Sequence, residues 1–260
     1  MIRSLLVMFC VLGVMAAHAD ESGSPRALTP QEAATLHADE VVGRAIYLND
    51  RAASVATDAA LKLEAFRHEK RVRGWITRAR GGTVTVTFVD DTPAALYRAT
   101  VSDAGELVGK VEAYATPQPL TAFEAGAAAA RKAALGVKIQ PCSDRYNTVV
   151  LPLGSAPEGK WLVYLLPGTT RQGVVPIGGT YRIDVDHGAA VAQRGFTRSC
   201  IVLQDDPRAV GLMITHLLDP TPTEVHVFWS LWAHKDLYVA TDGATWAIHD
   251  GHIRLIASRP

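Results

Sequence analysis

The sequence has few cysteines, a single long apolar run and no excess of charge of either sign. It contains 3 cysteines, and its 26 basic residues balance 26 acidic residues in a chain of 260. Domains that bind nucleic acid usually carry a clustered basic excess, so no nucleic-acid partner is expected. The densest basic stretch, residues 67–73, is short and is typical of a solvated face or a turn.

The apolar run lies at the N-terminus and has the three parts of an export signal. Arg3 gives a positive start, residues 5–17 are uncharged and apolar, and Ala17-His18-Ala19 is a small-x-small cleavage pattern. This run is short for the alternative, a membrane anchor, which needs about 20 apolar residues. Residues 1–19 are therefore predicted to be a signal peptide. The mature chain is expected to be exported, to a bacterial periplasm or the extracellular space, without a transmembrane segment.

The expected role of each cysteine follows from the predicted signal peptide. Cys10 follows Met8 and Phe9 inside the apolar run, whereas a lipidated cysteine normally follows a small residue at its end, so Cys10 should be lost with the signal. The mature chain then keeps Cys142 and Cys200, which in an oxidising compartment are most simply one disulfide. The alternative, a redox or metal pair, lacks C-x-x-C spacing.

A polar stretch rich in Ser, Gly and Pro, residues 20–30, is predicted to be a flexible lead-in. Thr29 and Glu32 then have the spacing of a helix capping box, with a proline at the first helical position. The alanine-rich stretch that follows is interpreted as two helices, broken at Gly43 or at Asn49-Asp50.

Two series of strands come next, separated by a helix. Residues 83–88 alternate Thr-Val-Thr-Val-Thr-Phe, which predicts a strand with Val84, Val86 and Phe88 on one apolar face and a wet second face. Further strands are expected at residues 96–101, 107–114, 148–153, 161–166, 181–186 and 189–196. Between the two series, Thr121 and Glu124 form another capping box before a helix at residues 120–135, with Gly136 at its end.

The two series have similar sequences. Residues 96–108 and 180–191 both contain Tyr-Arg, then a turn rich in Asp and Gly, then a strand ending in Val, and residues 237–248 echo this pattern. Internal duplication is one explanation, and the shared chemistry of Asp–Gly hairpin turns is the other. The predicted fold is α+β, with tandem units of a helix followed by an antiparallel β-meander, divided into residues 31–116 and residues 117–260.

A helix followed by strands with a Tyr-x-Ile/Val-x-Val-Asp-x-Gly turn resembles the PepSY-type and cystatin-like exported modules. The resemblance covers residues 120–196 and, more loosely, residues 31–115. Such modules are usually regulatory, inhibitory or binding units, so the resemblance implies binding rather than catalysis.

The densest group of polar residues lies between positions 215 and 226. Glu224 and His226 are two residues apart, so on a strand they would share a face. With His216 or Asp219 folded back across the turn, two nitrogens and a carboxylate could form a zinc set. The spacing lacks H-E-x-x-H, and the alternative is that both histidines are partly buried and hydrogen-bonded to the backbone.

The aromatic run from residue 225 to residue 232 is predicted to be a buried strand followed by a turn. If part of it is exposed, Trp229 and Trp232 would mark a surface for a partner or ligand. No G-x-S-x-G motif or phosphate loop is present. We therefore expect a non-enzymatic binding protein without a cofactor, whose partner is an envelope protein or a small ligand. The alternative is a metal-assisted hydrolase that uses zinc. The candidate binding residues are His216, Asp219, Glu224, His226, Trp229 and Trp232.

Overall fold

The computed structural model describes residues 25–154 and 159–258, so the predicted signal peptide and residues 20–24 of the lead-in lie outside the described residues. Four helices and 14 strands form within these ranges. The helices are α1 Pro30–Ala60, α2 Glu64–His68, α3 Ala122–Leu135 and α4 Glu224–Ala233. The strands are β1 Gly74–Arg80, β2 Thr83–Val89, β3 Ala95–Ser102, β4 Leu107–Gln118, β5 Tyr146–Pro152, β6 Lys160–Pro167, β7 Val174–Val175, β8 Tyr181–Asp186, β9 Ala189–Gly195, β10 Leu203–Gln204, β11 Gly211–Thr215, β12 Asp236–Thr241, β13 Ala244–His249 and β14 His252–Ser258. In the ranges described, no helix has the length and apolar character needed to cross a membrane.

The first helix is continuous over 31 residues, so the predicted break at Gly43 or Asn49-Asp50 is wrong. Its start is as predicted: the Thr29 hydroxyl accepts the Glu32 backbone N–H, and the Glu32 carboxylate accepts the Thr29 N–H. Gly43 lies where α1 crosses α4, and a Cβ there would be 2.5 Å from the Cβ of Val227. The missing side chain allows two helices to approach closely and does not end the helix.

The first sheet contains β1 to β4 in sequence order, each antiparallel to the next. Val84, Val86 and Phe88 are buried in one cluster with the alanines of α1, as the alternation predicted. Thr87 on the opposite face is also buried, because its hydroxyl donates to the Glu124 carboxylate of α3 at 2.7 Å. The prediction of a wet second face is therefore wrong at this position.

The second sheet has the order β5-β6-β8-β9, with all neighbours antiparallel. The helix before it, α3, begins with the predicted capping box, in which Thr121 and Glu124 satisfy each other's backbone N–H groups. One face of α3 is made of small side chains, including the fully buried Ala130, and these pack in one cluster with Val163 and Ile183. Small residues on α3 let it lie close to the sheet.

The third sheet has the order β11-β12-β13-β14, and β11 runs parallel to β12 because α4 connects them. The aromatic run at 225–232 belongs to α4, so its prediction as a strand is wrong. Residues 224–230 are all buried. When every side of a segment is buried, its hydrophobic pattern has neither the period of a helix nor that of a strand, so the two cannot be distinguished from the sequence. The cap that fixes the helix is Thr223, whose N–H is bound by His226.

The α+β prediction is confirmed, with helices packed on predominantly antiparallel sheets. A further pair of short strands, β7 and β10, forms a two-stranded antiparallel ribbon. Internal duplication and the division near residue 117 both stay predictions. Helix α1 packs on the first sheet and also on α4, so it contacts both of the predicted units. Both α1 and α4 carry residues of the candidate site described next.

Candidate functional site

Four of the predicted site residues lie at or near the N-terminus of α4 in a polar network, in which His216, Glu224 and His226 are buried and Asp219 is half-buried. His216 follows β11 and its Nε2 lies 2.8 Å from a carboxylate oxygen of Asp219. Both oxygens of Asp219 also accept from Nη2 of Arg194, on β9, at 2.7 Å. The structure therefore brings His216 and Asp219 together and places an arginine on the same carboxylate.

Glu224 and His226 do not share a face, because they are two residues apart on a helix rather than on a strand. Oε1 of Glu224 accepts from the Tyr164 hydroxyl at 3.1 Å and from Nη1 of Arg182 at 3.2 Å. Nδ1 of His226 accepts the N–H of Thr223 at 3.0 Å and caps its own helix. Each side chain thus has a structural partner of its own.

Burial shifts the pKa of three side chains in and beside this network. It lowers the pKa of His226 to about 3, with the nearby His216 and Arg194 adding to the effect, so this imidazole is neutral. Burial also raises the pKa of Tyr164. On α1, burial raises the pKa of Asp39 to about 7; the neighbouring Glu224 raises it further and Arg194 opposes the shift.

The same residues are not grouped as a set of metal ligands in the described structure. Within residues 25–154 and 159–258, no group of three or more His, Cys, Asp or Glu side chains has a geometry that could hold a metal ion. The proposed zinc ligands Glu224 and His226 have partners on different sides of α4. His216 and His226 do approach each other, with ring centroids 4.5 Å apart in an edge-on arrangement, but no carboxylate completes a zinc set with them.

The remaining two predicted site residues, Trp229 and Trp232, line an open cleft of about 1280 Å³. One wall of the cleft is α1 and another is the loop at 141–147. The segment at 166–176 also lines the cleft, together with Cys200, Val202 and the C-terminal half of α4. The cleft is separate from the polar network, because His216, Asp219, Glu224 and His226 do not line it.

The predicted disulfide is present and holds one wall of this cleft. Cys142 and Cys200 are bonded, with 5.3 Å between their Cα atoms, and both line the cleft. The backbone N–H of Cys142 donates to the Tyr146 hydroxyl at 2.9 Å, which links the disulfide to the start of β5. The disulfide therefore fixes the loop that faces α1.

Aromatic rings form the end of the cleft near α4. Trp229 is buried, donates from Nε1 to the Thr180 hydroxyl at 3.1 Å, and packs edge-on against Trp232 at 5.3 Å. Trp232 is half-buried, and the ring of Tyr47 on α1 lies 6.3 Å from that of His234. Part of the aromatic run is thus exposed to the cleft.

A buried carboxylate on α1 also lines the cleft. Asp50 is 7 % exposed, and its Oδ1 accepts from Nδ2 of Asn147 at 3.1 Å. Its Oδ2 has no hydrogen-bond partner in the described part of the chain. Burial raises the pKa of Asp50 to about 6, and the Asn147 hydrogen bond opposes this shift. Sequence reasoning missed Asp50, because an Asn-Asp pair in a helical stretch indicates a break as readily as a buried site.

Two arginines on the other walls carry free guanidinium groups. The side chains of Arg145 and Arg171 make no hydrogen bond or ion pair with any residue in 25–154 or 159–258. The third arginine of the cleft, Arg51, turns away: its Nη2 donates to the carbonyl of Ala104 at 2.7 Å. Among the described residues, the cleft therefore presents two carboxylates without a cation partner, buried Asp50 and exposed Asp144, and two arginines without a partner, Arg145 and Arg171.

Comparison of this chain with protein-family models, with curated proteins and with solved structures found no match. The resemblance to PepSY-type and cystatin-like modules accordingly stays a prediction, and the functional argument depends on the geometry of the site.

Proposed function

We propose that this chain is an exported, non-enzymatic binding protein that holds its ligand in the cleft between α1 and the disulfide loop. The observation that carries the proposal is the lining of the cleft: half-buried Trp232 and buried Asp50 open into the same space as the free cations Arg145 and Arg171. Ligand sites typically combine apolar walls with a few polar groups that have no partner in the free protein.

The size of the cleft favours an extended ligand. Pockets for small molecules usually enclose about 300–1,000 Å³, and this cleft is larger and open along one side. The disulfide and the absence of a membrane-spanning helix in the described residues are compatible with export. His216 and Glu224 form hydrogen bonds with other side chains of the protein, which favours a structural role for them over the alternative of a metal-assisted hydrolase.

A variant that fills the cleft tests this proposal. Ser54 lies on the exposed face of α1 and lines the cleft, so Ser54→Trp should occupy ligand space without entering the core. Ala34→Trp makes a similar change at an exposed position of α1 outside the cleft.

The assay is the thermal unfolding midpoint of the mature protein with four ligand classes: randomised pentapeptides, N-acetylated pentapeptides, maltohexaose and laurate. We expect at least one class to raise the midpoint of the wild type and of Ala34→Trp, because a ligand that binds only the folded state stabilises it. The same class should have little effect on Ser54→Trp. No response to any class, or an equal response of Ser54→Trp, would contradict the proposal.

A further inference from the structure

The cleft contains a buried acid, Asp50, that has no cation partner among residues 25–154 and 159–258. Burying a carboxylate without a counter-charge is costly, and proteins usually pair such groups. The neighbouring Arg51 does not do so: it points to the β3–β4 turn, where its guanidinium contacts Gly105 and donates to Ala104. Asn147 supplies one neutral hydrogen bond to Asp50 and leaves Oδ2 free. A cation from outside the chain would complete this site.

The surroundings of Asp50 suit an ammonium group. Tyr47 lies one helical turn before Asp50 on α1, so both side chains face the cleft. Trp232 and Phe228 line the same space, and aromatic faces attract ammonium groups as well as apolar side chains. A carboxylate beside aromatic rings is therefore more favourable for an organic amine than for a hydrated metal ion.

Two arginines on other segments of the lining can bind an anion, although Asp144 beside Arg145 also lines the cleft. The guanidinium groups of Arg145 and Arg171 can each bind a carboxylate through two parallel hydrogen bonds. Both lie on walls other than the helix that carries Asp50, Arg145 in the disulfide loop and Arg171 in the segment before β7. The charges of Asp50, Arg145 and Arg171 are therefore complementary to a ligand that has an amine at one point and a carboxylate at another.

We propose that the cleft binds short peptides through their free amino terminus. Asp50 pairs with the α-ammonium group, half-buried Trp232 contacts an apolar side chain, and Arg145 and Arg171 bind a carboxylate of the peptide. A single amino acid carries both charges but would leave most of the 1280 Å³ empty, whereas a peptide of a few residues spans the walls. This inference rests on the proposed function, since it names the ligand of the same cleft.

The first test compares two peptide libraries that differ only in the amino terminus. Randomised pentapeptides with a free amine and the same library after N-acetylation are incubated with the mature protein, and the retained peptides are quantified by mass spectrometry. We expect the free peptides to bind at least about tenfold more tightly, the lower range for a hydrogen bond to a charged group. Equal retention of the two libraries would overturn the inference.

Two protein variants locate the ammonium site. Asp50→Asn keeps the size of the side chain and its hydrogen bond from Asn147, but removes the negative charge. It should reduce binding of free peptides to the level of the acetylated library. Asp58→Asn makes the same change on the exposed surface of α1, outside the cleft, and should bind as the wild type does. Unchanged binding by Asp50→Asn would overturn the assignment.

The arginines are tested from the peptide side. Amidated peptides without Asp or Glu should bind about tenfold more weakly than acidic peptides, and the double variant Arg145→Gln/Arg171→Gln should remove that difference. If the wild type retains acidic and amidated peptides equally, the arginines do not bind a carboxylate. If neither library binds but maltohexaose or laurate stabilises the protein, the inference fails and the proposed function stands. If no class binds, the proposed function fails as well.

Discussion

Replacing Asp50 with asparagine should stabilise the free protein at neutral pH. Burial raises the pKa of this carboxyl from its ordinary value of 3.8 to about 6, so the folded state holds the proton more tightly than the unfolded state. Between those two values the folded protein binds more protons, and its stability falls as the pH rises. Each tenfold change in proton affinity corresponds to about 1.4 kcal/mol, so the ionised Asp50 costs about 3 kcal/mol above pH 6.

The Asp50→Asn variant removes this cost, because its amide is neutral at every pH and can still accept from Asn147. Urea denaturation of both proteins from pH 4 to pH 8 measures the difference in unfolding free energy. We expect the variant to be more stable by about 3 kcal/mol at pH 8 and by less than about 1 kcal/mol at pH 4. Asp58→Asn is the control, since Asp58 is exposed. A difference that does not change with pH, or a wild type that is more stable at pH 8, would refute the reasoning.

Three further changes test the fold. Gly43→Ala should destabilise the protein by about 1–3 kcal/mol in urea denaturation, because the new Cβ would lie 2.5 Å from Val227; full stability would contradict the described crossing of α1 and α4. Cys142→Ser/Cys200→Ser should cost about 4 kcal/mol, since the disulfide closes a loop with a sequence separation of 58, and an unchanged midpoint would show that the bond does not hold the fold. His226→Gln keeps a side chain at N3 that can accept the Thr223 N–H, so the helix cap is retained. The wild type should lose stability as the pH falls from about 6.5 towards 3, because its unfolded state binds a proton that the buried imidazole does not, and the variant should not show this loss in urea denaturation. The same acid sensitivity in both proteins would contradict a buried neutral imidazole.

Local signals in the sequence predicted a large part of the fold. The two capping boxes fixed the starts of α1 and α3 to within a residue or two, because a Thr followed three residues later by a Glu satisfies backbone groups that no other element can reach. The alternation at 83–88 gave the buried face of β2 correctly. The disulfide was predicted by elimination, because the predicted mature chain contains one pair of cysteines, and the bond is present.

The errors arose where tertiary contacts overrule local pattern. Gly43 is a residue that commonly breaks helices, yet it lies inside α1. The close contact with α4 leaves no space for a side chain at this position. The run at 225–232 is buried on all sides, so its periodicity carries no information on helix or strand. When residues 225–232 are interpreted as a strand, Glu224 and His226 share a face and can be combined into a zinc site. On the observed helix, the two side chains point in different directions.

The cleft could not be predicted from sequence, because its lining comes from segments that are far apart in the chain. Asp50 on α1 meets Asn147 on β5 across a sequence separation of 97. Trp229 and Trp232 were recognised, but only as a surface that would matter if exposed. The charged groups that give the cleft its chemistry, Arg145 and Arg171, belong to no motif and are distinguished only by the absence of a partner among the described residues.

Photo-crosslinking tests the central claim, that the cleft is the binding site, most directly. A pentapeptide library that carries one p-benzoylphenylalanine and a free amino terminus is irradiated with the mature protein, and the modified residues are identified by mass spectrometry. We expect the label on residues 141–147, on residues 166–176 and on Trp232, and its loss in Ser54→Trp. Labels on the exposed faces of the sheets, or an unchanged pattern in Ser54→Trp, would contradict the account.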